Sequence, residues 1–267
     1  MDLDHVEELV PAATASWRPG DSWLAGGTWL FSERQPAVRR LLDLTAFGWP
    51  SLTATPDGLL LGATCTLAEL AGWQPPSHWS GAALVGQCCT ALLGSFKVWN
   101  CATVGGNLCL SLPASPIAAL TVALDGRCTL LRPDTGASRT MPVHEFVTGP
   151  GSNRLQPGEL LRSVWLPAAA LTGRTAFRQI SLSPHGRSGA VVIGRRGTDG
   201  ELALTVTAAT VRPVEVRFAG RPDPEHAWQR LDAAVPAYHD DVHGDPRWRR
   251  AMTRRFVLDV LEELAQP

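Results

Sequence analysis

The stretch that organises this chain reads Asn100-Cys101-Ala102-Thr103-Val104-Gly105-Gly106-Asn107-Leu108. Adjacent glycines let a backbone turn with positive φ and come close to a ligand, with no side chain covering their N–H groups. Thr103 and Asn107 place polar side chains on either side of the pair. The stretch therefore predicts a loop that presents bare backbone N–H groups to an anion.

A second stretch with the same order of residue types lies nearer the start, Leu24-Ala25-Gly26-Gly27-Thr28-Trp29-Leu30. A single Gly-Gly pair is most often an ordinary turn. Two pairs, each followed by a polar residue and then an apolar element, are expected when two loops converge on one ligand. We interpret that ligand as a diphosphate, although neither stretch has the G-x-G-x-x-G or Walker spacing.

The composition indicates a compact protein of one large or two modest domains. The chain has 267 residues, of which 45% are hydrophobic and 18% charged, enough for a substantial core. A net charge of −1 gives no reason to expect a nucleic acid or an anionic membrane as partner. The sequence shows no membrane span and no signal-peptide pattern, so we expect a cytoplasmic protein.

The cysteines and histidines do not predict a metal site. Six cysteines occur without a C-x-x-C pair, and we interpret them as reduced, mostly buried residues, so that any iron–sulfur cluster lies in a partner. His239 and His243 have the spacing of a helical metal pair. Their neighbours Asp240, Asp241 and Gly244 favour a loop instead.

Local patterns predict several elements around the two glycine stretches. The predicted strands are Leu41–Leu44, Leu59–Leu61 and Cys128–Leu131, and a helix is expected from Leu84 to Leu93, with Gly94 as a left-handed cap. Ser115 caps a further helix with Pro116 in its first turn, continuing over Ile117–Leu124. The second glycine stretch is thus expected to be a loop between two helices.

Beyond residue 150 the pattern changes to strands and a long final helix. A strand at Leu160–Leu166 leads to a boundary near Pro167, and residues 175–182, 190–196, 202–210 and 214–218 predict a small antiparallel sheet. Asp245 caps the last helix, whose apolar stripe predicts a buried face. Its other faces are expected to be solvated and carry Arg249, Arg250, Arg254 and Arg255.

Both glycine stretches resemble the flavin loops of the FAD-binding subunit of molybdenum hydroxylases, the xanthine dehydrogenase and carbon monoxide dehydrogenase group. The second is close to that family's Asn-x-Ala-Thr-Ile-Gly-Gly-Asn-Leu. The likeness extends through residues 62–70, 155–161 and 245–250. It implies an α+β fold in which a two-subdomain FAD-binding unit of the vanillyl-alcohol-oxidase type precedes a small C-terminal α+β domain with an antiparallel sheet and helices.

The same resemblance implies domain limits and a function. The FAD-binding domain would span 1–167, with its subdomain boundary near 50–55, and the C-terminal domain 168–267. The chain would be the FAD-carrying electron-transfer subunit of an oxidoreductase, a FAD-dependent dehydrogenase. It would receive electrons from a molybdenum-cofactor large subunit through a [2Fe-2S] small subunit, and deliver them to NAD, a quinone or another acceptor.

The flavin would do the redox chemistry, so no catalytic residue and no metal ligand are expected in this chain. The residues expected to bind FAD are Leu24, Ala25, Gly26, Gly27, Thr28, Trp29, Leu30, Thr103, Val104, Gly105, Gly106, Asn107, Leu108 and Leu155.

The chain departs from the family pattern at three positions. Pro116 stands where the family has a flavin-contacting aspartate, Trp99 replaces a common arginine, and Gln179 falls where a lysine is often found. These changes leave two alternatives open: a flavin-free scaffold that kept the fold and organises partner subunits, and an autonomous flavin oxidase. The short chain, without an evident substrate domain, argues against the oxidase.

Overall fold

The structure is a computed structural model that describes residues 5–92, 94–184 and 186–266. It mixes helices and strands. The strands are β1 Glu8–Pro11, β2 Asp21–Leu24, β3 Arg40–Asp43, β4 Leu52–Thr55, β5 Gly58–Gly62, β6 Arg127–Arg132, β7 Ala137–Pro142, β8 Val147–Gly149, β9 Ser152–Asn153, β10 Leu160–Pro167, β11 Arg174–Ile180, β12 Ala190–Arg196, β13 Leu202–Thr207 and β14 Val214–Phe218. The helices are α1 Leu67–Gly72, α2 Ala83–Ala91, α3 Phe96–Cys101, α4 Val104–Leu110, α5 Pro116–Ala123, α6 Val143–Phe146, α7 Ala168–Leu171, α8 Pro224–Ala234 and α9 Pro246–Ala265.

The first sheet is parallel and has the order β1-β3-β2. Its central strand is predicted correctly to within a residue, and Leu41 and Leu42 are buried there. Both outer strands run parallel to it, with Leu9 opposite Leu41 and Trp23 opposite Leu42. Because parallel strands end at the same edge of a sheet, the segment after β2 leaves from the carboxyl edge. That segment is the first glycine stretch.

The second sheet is antiparallel with the order β4-β5-β10-β6-β7, and α1 to α5 lie in the connection between β5 and β6. Helix α5 begins where predicted: the Ser115 hydroxyl accepts a hydrogen bond from the Ala118 N–H, and Pro116 is the first helical residue. All eight residues of α5 are buried, as expected for a helix that is apolar on every side. This helix anchors the end of the second glycine stretch.

The third sheet is an antiparallel meander, β11-β12-β13-β14, where the sequence predicts one. Gly200, with φ +88°, lies in the turn between β12 and β13. Strand β13 is shorter than predicted, because Ala208 adopts φ +63° and ends it. Helix α9 packs on this sheet so closely that a Cβ on Gly194 would overlap the side chain of Val260.

An ion-pair network around the buried Arg195 joins the end of α5 to the third sheet. Arg195 Nε donates to the carbonyl oxygen of Ala123 at 2.9 Å, and its Nη2 donates to Asp125 Oδ2 at 2.7 Å. Arg217 reaches the other oxygen of Asp125, and pairs with Glu201 and Glu215 as well. The helix that anchors the second glycine stretch is therefore held by charges from β12 and β14.

The predicted left-handed cap at Gly94 is wrong. Helix α2 ends at Ala91, Leu92 is extended at φ −82° and ψ 106°, and Gly94 is not among the glycines with positive φ. Leu93 lies outside the described residues. A Cβ at Gly94 would lie 3.0 Å from the Val98 side chain in α3, so a larger residue would make a tight contact there.

The expectation that four arginines of α9 lie on solvated faces fails for Arg249. Its side chain is only 1% exposed and donates to the carbonyl oxygens of Gly244, Gly189 and Ala208 and to the carboxylate of Asp241. The exposed Arg250 and Arg254 pair with Asp232 and Glu225 of α8, and Arg255 lies near Asp259 of α9.

Candidate functional site

The two glycine stretches meet at one groove, whose first section has a volume of about 280 Å³. Residues 24–30 line it along one side, and Thr103, Gly106 and Asn107 line it from the other. The parallel first sheet supplies one wall and helix α4 supplies the other. The structure thus brings together two stretches about 75 residues apart, as the sequence predicts.

Both glycines of the first stretch are required by its geometry. A Cβ on Gly26 would overlap the carbonyl oxygen of Cys101, the last residue of α3, and one on Gly27 would overlap the ring of Phe31. Gly27 also has φ +70°, in the left-handed region that favours glycine. The first stretch therefore lies so close to Cys101 and Phe31 that positions 26 and 27 have no room for a residue larger than glycine.

The first stretch presents free backbone donors. Within the described part of the chain, the N–H groups of residues 26–30 make no internal hydrogen bond, whereas the carbonyl oxygens of Gly27 and Trp29 accept from Phe31, Ser32 and Glu33. Successive free N–H groups in a tight loop form a concave site for an anion. The first stretch is therefore a loop with free backbone N–H groups at residues 26–30, as the sequence predicts.

The second stretch is not a loop, and its N–H groups are not bare. Thr103 is the N-cap of α4 and accepts from the Gly106 N–H at 3.1 Å. The N–H of Val104 donates to the carbonyl oxygen of Cys65 at 2.9 Å, and that of Gly105 to Ala63 at 2.8 Å. The prediction of bare donors in the second stretch is wrong for residues 104–106, because the Thr103 side chain and the carbonyl oxygens of Cys65 and Ala63 accept from them.

The two glycines of α4 have different roles. Gly105 is buried, and a Cβ there would lie 2.7 Å from the Cβ of Ala63, so glycine allows the helix to pack on the end of β5. Gly106 is exposed to the groove, where a Cβ would meet only Thr103 Oγ1, at 3.0 Å. Val104 and Leu108 are fully buried in the core, and their side chains do not line the first section.

The side chain of Asn107 links α4 to α5. Its Oδ1 accepts from the Ser115 hydroxyl at 2.6 Å and from the Ile117 N–H at 3.2 Å. This fixes the side-chain amide so that Nδ2, its donor end, has no hydrogen-bond partner in the described residues. The Nδ2 group of Asn107 is therefore a free side-chain donor at the groove, whereas the backbone N–H groups of residues 104–106 are already bonded within the chain.

A second, apolar section of about 210 Å³ adjoins the first and shares Ser22, Trp23, Ala25, Gly106 and Cys109 with it. The remaining lining residues include the predicted Leu155, together with Leu44, Leu160 and Leu161.

The segment that carries Leu155 is tied to α4. Asn153 Nδ2 donates to the Cys109 carbonyl oxygen at 2.7 Å, and Asn153 Oδ1 accepts from the Leu155 N–H at 2.9 Å.

Glu159 and Arg139 support the wall of the second section. Arg139 donates to both carboxylate oxygens of Glu159, at 2.8 and 2.7 Å, and the Glu159 carbonyl oxygen accepts from the indole of Trp23 at 2.9 Å. The hydrogen bonds from Arg139 hold the pKa of Glu159 below its usual value. The pair therefore keeps Trp23 at the junction of the first two sections.

A third section of about 310 Å³ adjoins the first at Asn107 and Leu110. Pro116 lies in its wall, with Arg187, Ser188 and His243 from the C-terminal part of the chain. Gln179, which also departs from the family pattern, donates to Ser188 Oγ at 2.8 Å. Trp99, another such departure, donates to the carbonyl oxygen of Leu92, which lines this section. Arg187 and Ser188 were not predicted from the sequence, because their loop has no motif.

The described residues hold no group of three or more His, Cys, Asp or Glu suited to a metal ion. Residues 239–244 form a turn with bridges and not a helix, as predicted for the His239 and His243 pair. All six cysteines are free. Burial raises the pKa of the Cys109 thiol, beside the groove, to about 12, so this thiol is neutral near pH 7.

In the described residues no helix is long and apolar enough to cross a membrane. The overall fold matches a chain of a solved structure, reconstituted CO dehydrogenase from Oligotropha carboxidovorans, with a TM-score of 0.82 over 98% of both chains and 18% sequence identity. The chain therefore has the same mixed arrangement of helices and sheets as this CO dehydrogenase chain.

Residues 3–169 match the family described as the FAD binding domain in molybdopterin dehydrogenase. The chain belongs to this family, and so carries the FAD-binding domain of the xanthine and CO dehydrogenase group of oxidoreductases. It is 32% identical over 248 residues to aldehyde oxidase 2 of Cavia porcellus, covering 80% of this chain and 18% of that protein. It is 24% identical over 184 residues to the carbon monoxide dehydrogenase medium chain of Hydrogenophaga pseudoflava, covering 64% and 63%. The chain thus spans less than two thirds of these relatives.

The groove fits FAD in its donors and shape. Free N–H groups at residues 26–30, an open face at Gly106 and a continuous path from the polar to the apolar section suit a long cofactor with a diphosphate at its middle. One feature fits less well: Pro116 has no side-chain acceptor where the family resemblance places a carboxylate.

Proposed function

We propose that the FAD diphosphate binds in the first section of the groove. The free N–H groups of residues 26–30 are the observation that carries this proposal. Hydrogen bonds to charged groups contribute about 1.5–3 kcal/mol each, so several such donors suffice for tight binding without a lysine or arginine. Thr28, Thr103 and Asn107 add side-chain donors to the same section.

The remaining predicted residues have supporting roles in this proposal. Leu24, Ala25, Trp29 and Leu30 shape the loop, while Val104, Gly105 and Leu108 fix α4 in the core so that Gly106 faces the cofactor. Leu155 packs against an apolar part of FAD in the second section.

We further propose that the chain is the FAD-carrying electron-transfer subunit of a molybdenum hydroxylase. The flavin supplies the redox chemistry, and the chain orients it and sets its potential. Electrons would come from a molybdenum-cofactor large subunit through a [2Fe-2S] small subunit and leave to NAD, a quinone or another acceptor. The relatives named above support this assignment. The complex would work in the cytoplasm, where six unpaired cysteines stay reduced.

The domain limits stay part of the proposal. The FAD-binding domain would span 1–167, as two subdomains of the vanillyl-alcohol-oxidase type that divide near 50–55, and the C-terminal domain 168–267. In support, the parallel sheet lies before residue 44, the five-stranded sheet between 52 and 167, and the meander after 173. The groove would then lie between the first two units.

One observation favours a second candidate, the flavin-free scaffold. The N–H groups of Val104, Gly105 and Gly106 are all used within the chain, and Pro116 offers no carboxylate. A scaffold needs the fold but none of the free donors at residues 26–30. Flavin binding accounts for those donors, so we favour the FAD-carrying subunit.

The substitution Gly106→Val tests the proposed site. The valine side chain would enter the groove, where a Cβ at position 106 would have only Thr103 Oγ1 nearby, at 3.0 Å, so FAD affinity is expected to fall about a hundredfold or more. Gly86→Val is the matched control, because Gly86 is an exposed helical residue of α2 with nothing near its Cβ position. Fluorescence titration with FAD measures both variants. Equal affinity of Gly106→Val and the control would refute the site.

A further inference from the structure

The three sections of the groove follow one another along the surface of α4. Gly106 and Cys109 line both the first and the second section. Asn107 and Leu110, each one residue further along the helix, line both the first and the third section. The first section therefore lies between the other two. Under the proposed function, a cofactor with its diphosphate in the first section extends towards the second section on one side and towards the third on the other.

The wall of the third section beyond α4 includes three segments without regular structure. Ser188 lies in the loop between β11 and β12, His243 in the turn before α9, and Leu112 and Ala114 in the connection from α4 to α5. These segments are far apart in the sequence, and such connections are more mobile than helices and strands. Contacts from elsewhere in the fold must therefore hold them in place relative to α4.

Arg249, in the first turn of α9, lies where these segments meet. Its side chain is 1% exposed and is not among the described residues that line the groove. Nε donates to the carbonyl oxygen of Gly244 at 2.8 Å, and Nη1 donates to those of Gly189, at 2.7 Å, and Ala208. Nη2 pairs with Asp241, which balances the charge. The guanidinium therefore joins three backbone carbonyls from three parts of the chain.

The three carbonyls are directly connected to the wall. The residues that precede the two glycines, Ser188 and His243, both line the third section. The N–H of Ala208 donates to the carbonyl oxygen of Pro113 at 2.8 Å, in the connection from α4 to α5. Through these contacts one side chain reaches all three of the irregular segments.

The backbone at these carbonyls is either too crowded for a side chain or strained. A Cβ on Gly189 would lie 2.5 Å from the ring of Trp248, and one on Gly244, which has φ +147°, would lie 2.7 Å from the same ring. Ala208 adopts φ +63°, a left-handed conformation that persists in a residue with a side chain only where the surroundings impose it. The two glycines therefore let the loops close around the start of α9, and the hydrogen bond from Arg249 is one of the contacts that hold Ala208.

Fold stability alone does not account for a charge at position 249. Burying a guanidinium costs desolvation energy, and apolar side chains often replace buried ion pairs without loss of stability. A planar guanidinium supplies several hydrogen bonds in fixed directions, which an apolar side chain does not. We infer that Arg249 is a positioning residue of the flavin site: it fixes the wall of the third section relative to α4 and does not touch the cofactor. The inference rests on the proposed function and assigns to it a residue outside both glycine stretches.

Titration of the whole chain with FAD tests the inference, with each variant shown to be folded by circular dichroism and its free energy of unfolding measured in the same buffer. Arg249→Met removes the charge and the donors but keeps an unbranched apolar side chain. Its affinity for FAD is expected to be about tenfold lower or more, as for the outer contacts of other binding sites. Arg249→Lys keeps the charge and some donors, so it is expected to bind FAD more tightly than Arg249→Met but less tightly than the natural chain. It carries the test if Arg249→Met does not fold.

Val260→Ala is the matched control. Val260 is fully buried and lies about 16 Å further along α9, so this variant loses stability by opening a cavity but leaves the contacts of Arg249 intact. Its FAD affinity is expected to stay within about twofold of that of the natural chain. Amide hydrogen exchange without FAD adds a second measurement: Arg249→Met is expected to speed exchange in the segments that contain Gly189 and Gly244, and Val260→Ala is not.

Three results would overturn the inference. The first is equal FAD affinity in the natural chain and the folded Arg249 variants. The second is an equal loss of affinity in Arg249→Met and Val260→Ala, because the arginine would then act only through stability. The third is unchanged hydrogen exchange in both segments of Arg249→Met. A natural chain that binds no FAD would instead refute the proposed function, and the inference with it, whatever the variants show.

Discussion

Asn107 Oδ1 and the Ser115 hydroxyl are 2.6 Å apart, and this hydrogen bond joins the start of α5 to the helix that carries Gly106. The same oxygen accepts from the Ile117 N–H. The Oδ1 atom of Asn107 therefore stabilises the contact between α4 and α5, whereas Nδ2 has no partner among the described residues and is available to a ligand. The two ends can be tested separately.

Asn107→Asp keeps the accepting oxygen and replaces the donor by a negative charge. We expect a nearly unchanged free energy of unfolding, and an FAD affinity at least tenfold lower because a carboxylate would lie beside the diphosphate. Asn107→Ala should lose about 1–3 kcal/mol of stability as well, since it leaves the Ile117 N–H without its partner. Thermal unfolding and FAD titration measure the two effects. If Asn107→Asp binds FAD normally, this side chain does not contact the cofactor.

Pro116→Asp restores the carboxylate that the family resemblance places at this position. Aspartate is well tolerated in the first turn of a helix, so α5 should remain intact. We expect FAD affinity to rise, or the flavin reduction potential to shift, by an amount that corresponds to about 1–3 kcal/mol. Pro116→Ala controls for loss of the ring. Identical affinity and potential in all three proteins would show that position 116 has no effect on the cofactor.

Arg195→Met tests the network between α5 and the third sheet. The arginine side chain is 6% exposed, and its loss leaves Asp125 with Arg217 alone. We expect the free energy of unfolding to fall by about 3 kcal/mol, the lower end of the range for a broken buried pair. Arg254→Met, which breaks the exposed pair with Glu225, should cost less than about 1 kcal/mol. Chemical denaturation compares them, and equal losses would contradict a structural role for the network.

The Arg139 and Glu159 pair predicts a pH dependence. Arg139 lowers the pKa of Glu159 in the folded chain from its usual 4.5, so the pair stabilises the fold above that pH. The contribution is lost as the pH falls below 4.5 and through the folded pKa. The stability difference between the natural chain and Arg139→Gln should therefore be largest near pH 7 and shrink towards pH 3. A difference that stays constant over this range would contradict the prediction.

Sequence patterns predicted the elements whose signals are local. Ser115 and Pro116 mark the start of α5, and Asp245 marks that of α9. In each case the capping or turn residue acts on its own neighbours, so a short window of sequence contains the physical cause.

The second glycine stretch was mistaken for a loop because its helix depends on distant contacts. Two adjacent glycines disfavour a helix by about 1 kcal/mol each, and no local signal outweighs them. In the fold, the carbonyl oxygens of Cys65 and Ala63 accept the N–H groups of Val104 and Gly105. These partners lie about 40 residues earlier in the chain, and the sequence alone does not reveal them.

The burial of Arg249 has a similar cause. Its guanidinium lies where carbonyl oxygens of Gly189, Ala208 and Gly244 converge. An arginine on a helix is normally exposed, and only the tertiary structure brings these three acceptors to one point. The polar wall of the third section, which depends on the same convergence, was missed for the same reason.

The visible absorption spectrum of the purified chain, with mass identification of any released cofactor, tests the central claim most directly. We expect bands near ~370 and ~450 nm and release of FAD. A colourless chain that takes up no added FAD would contradict the claim that residues 24–30 and Gly106 form a flavin site, and would leave the scaffold as the function of this fold.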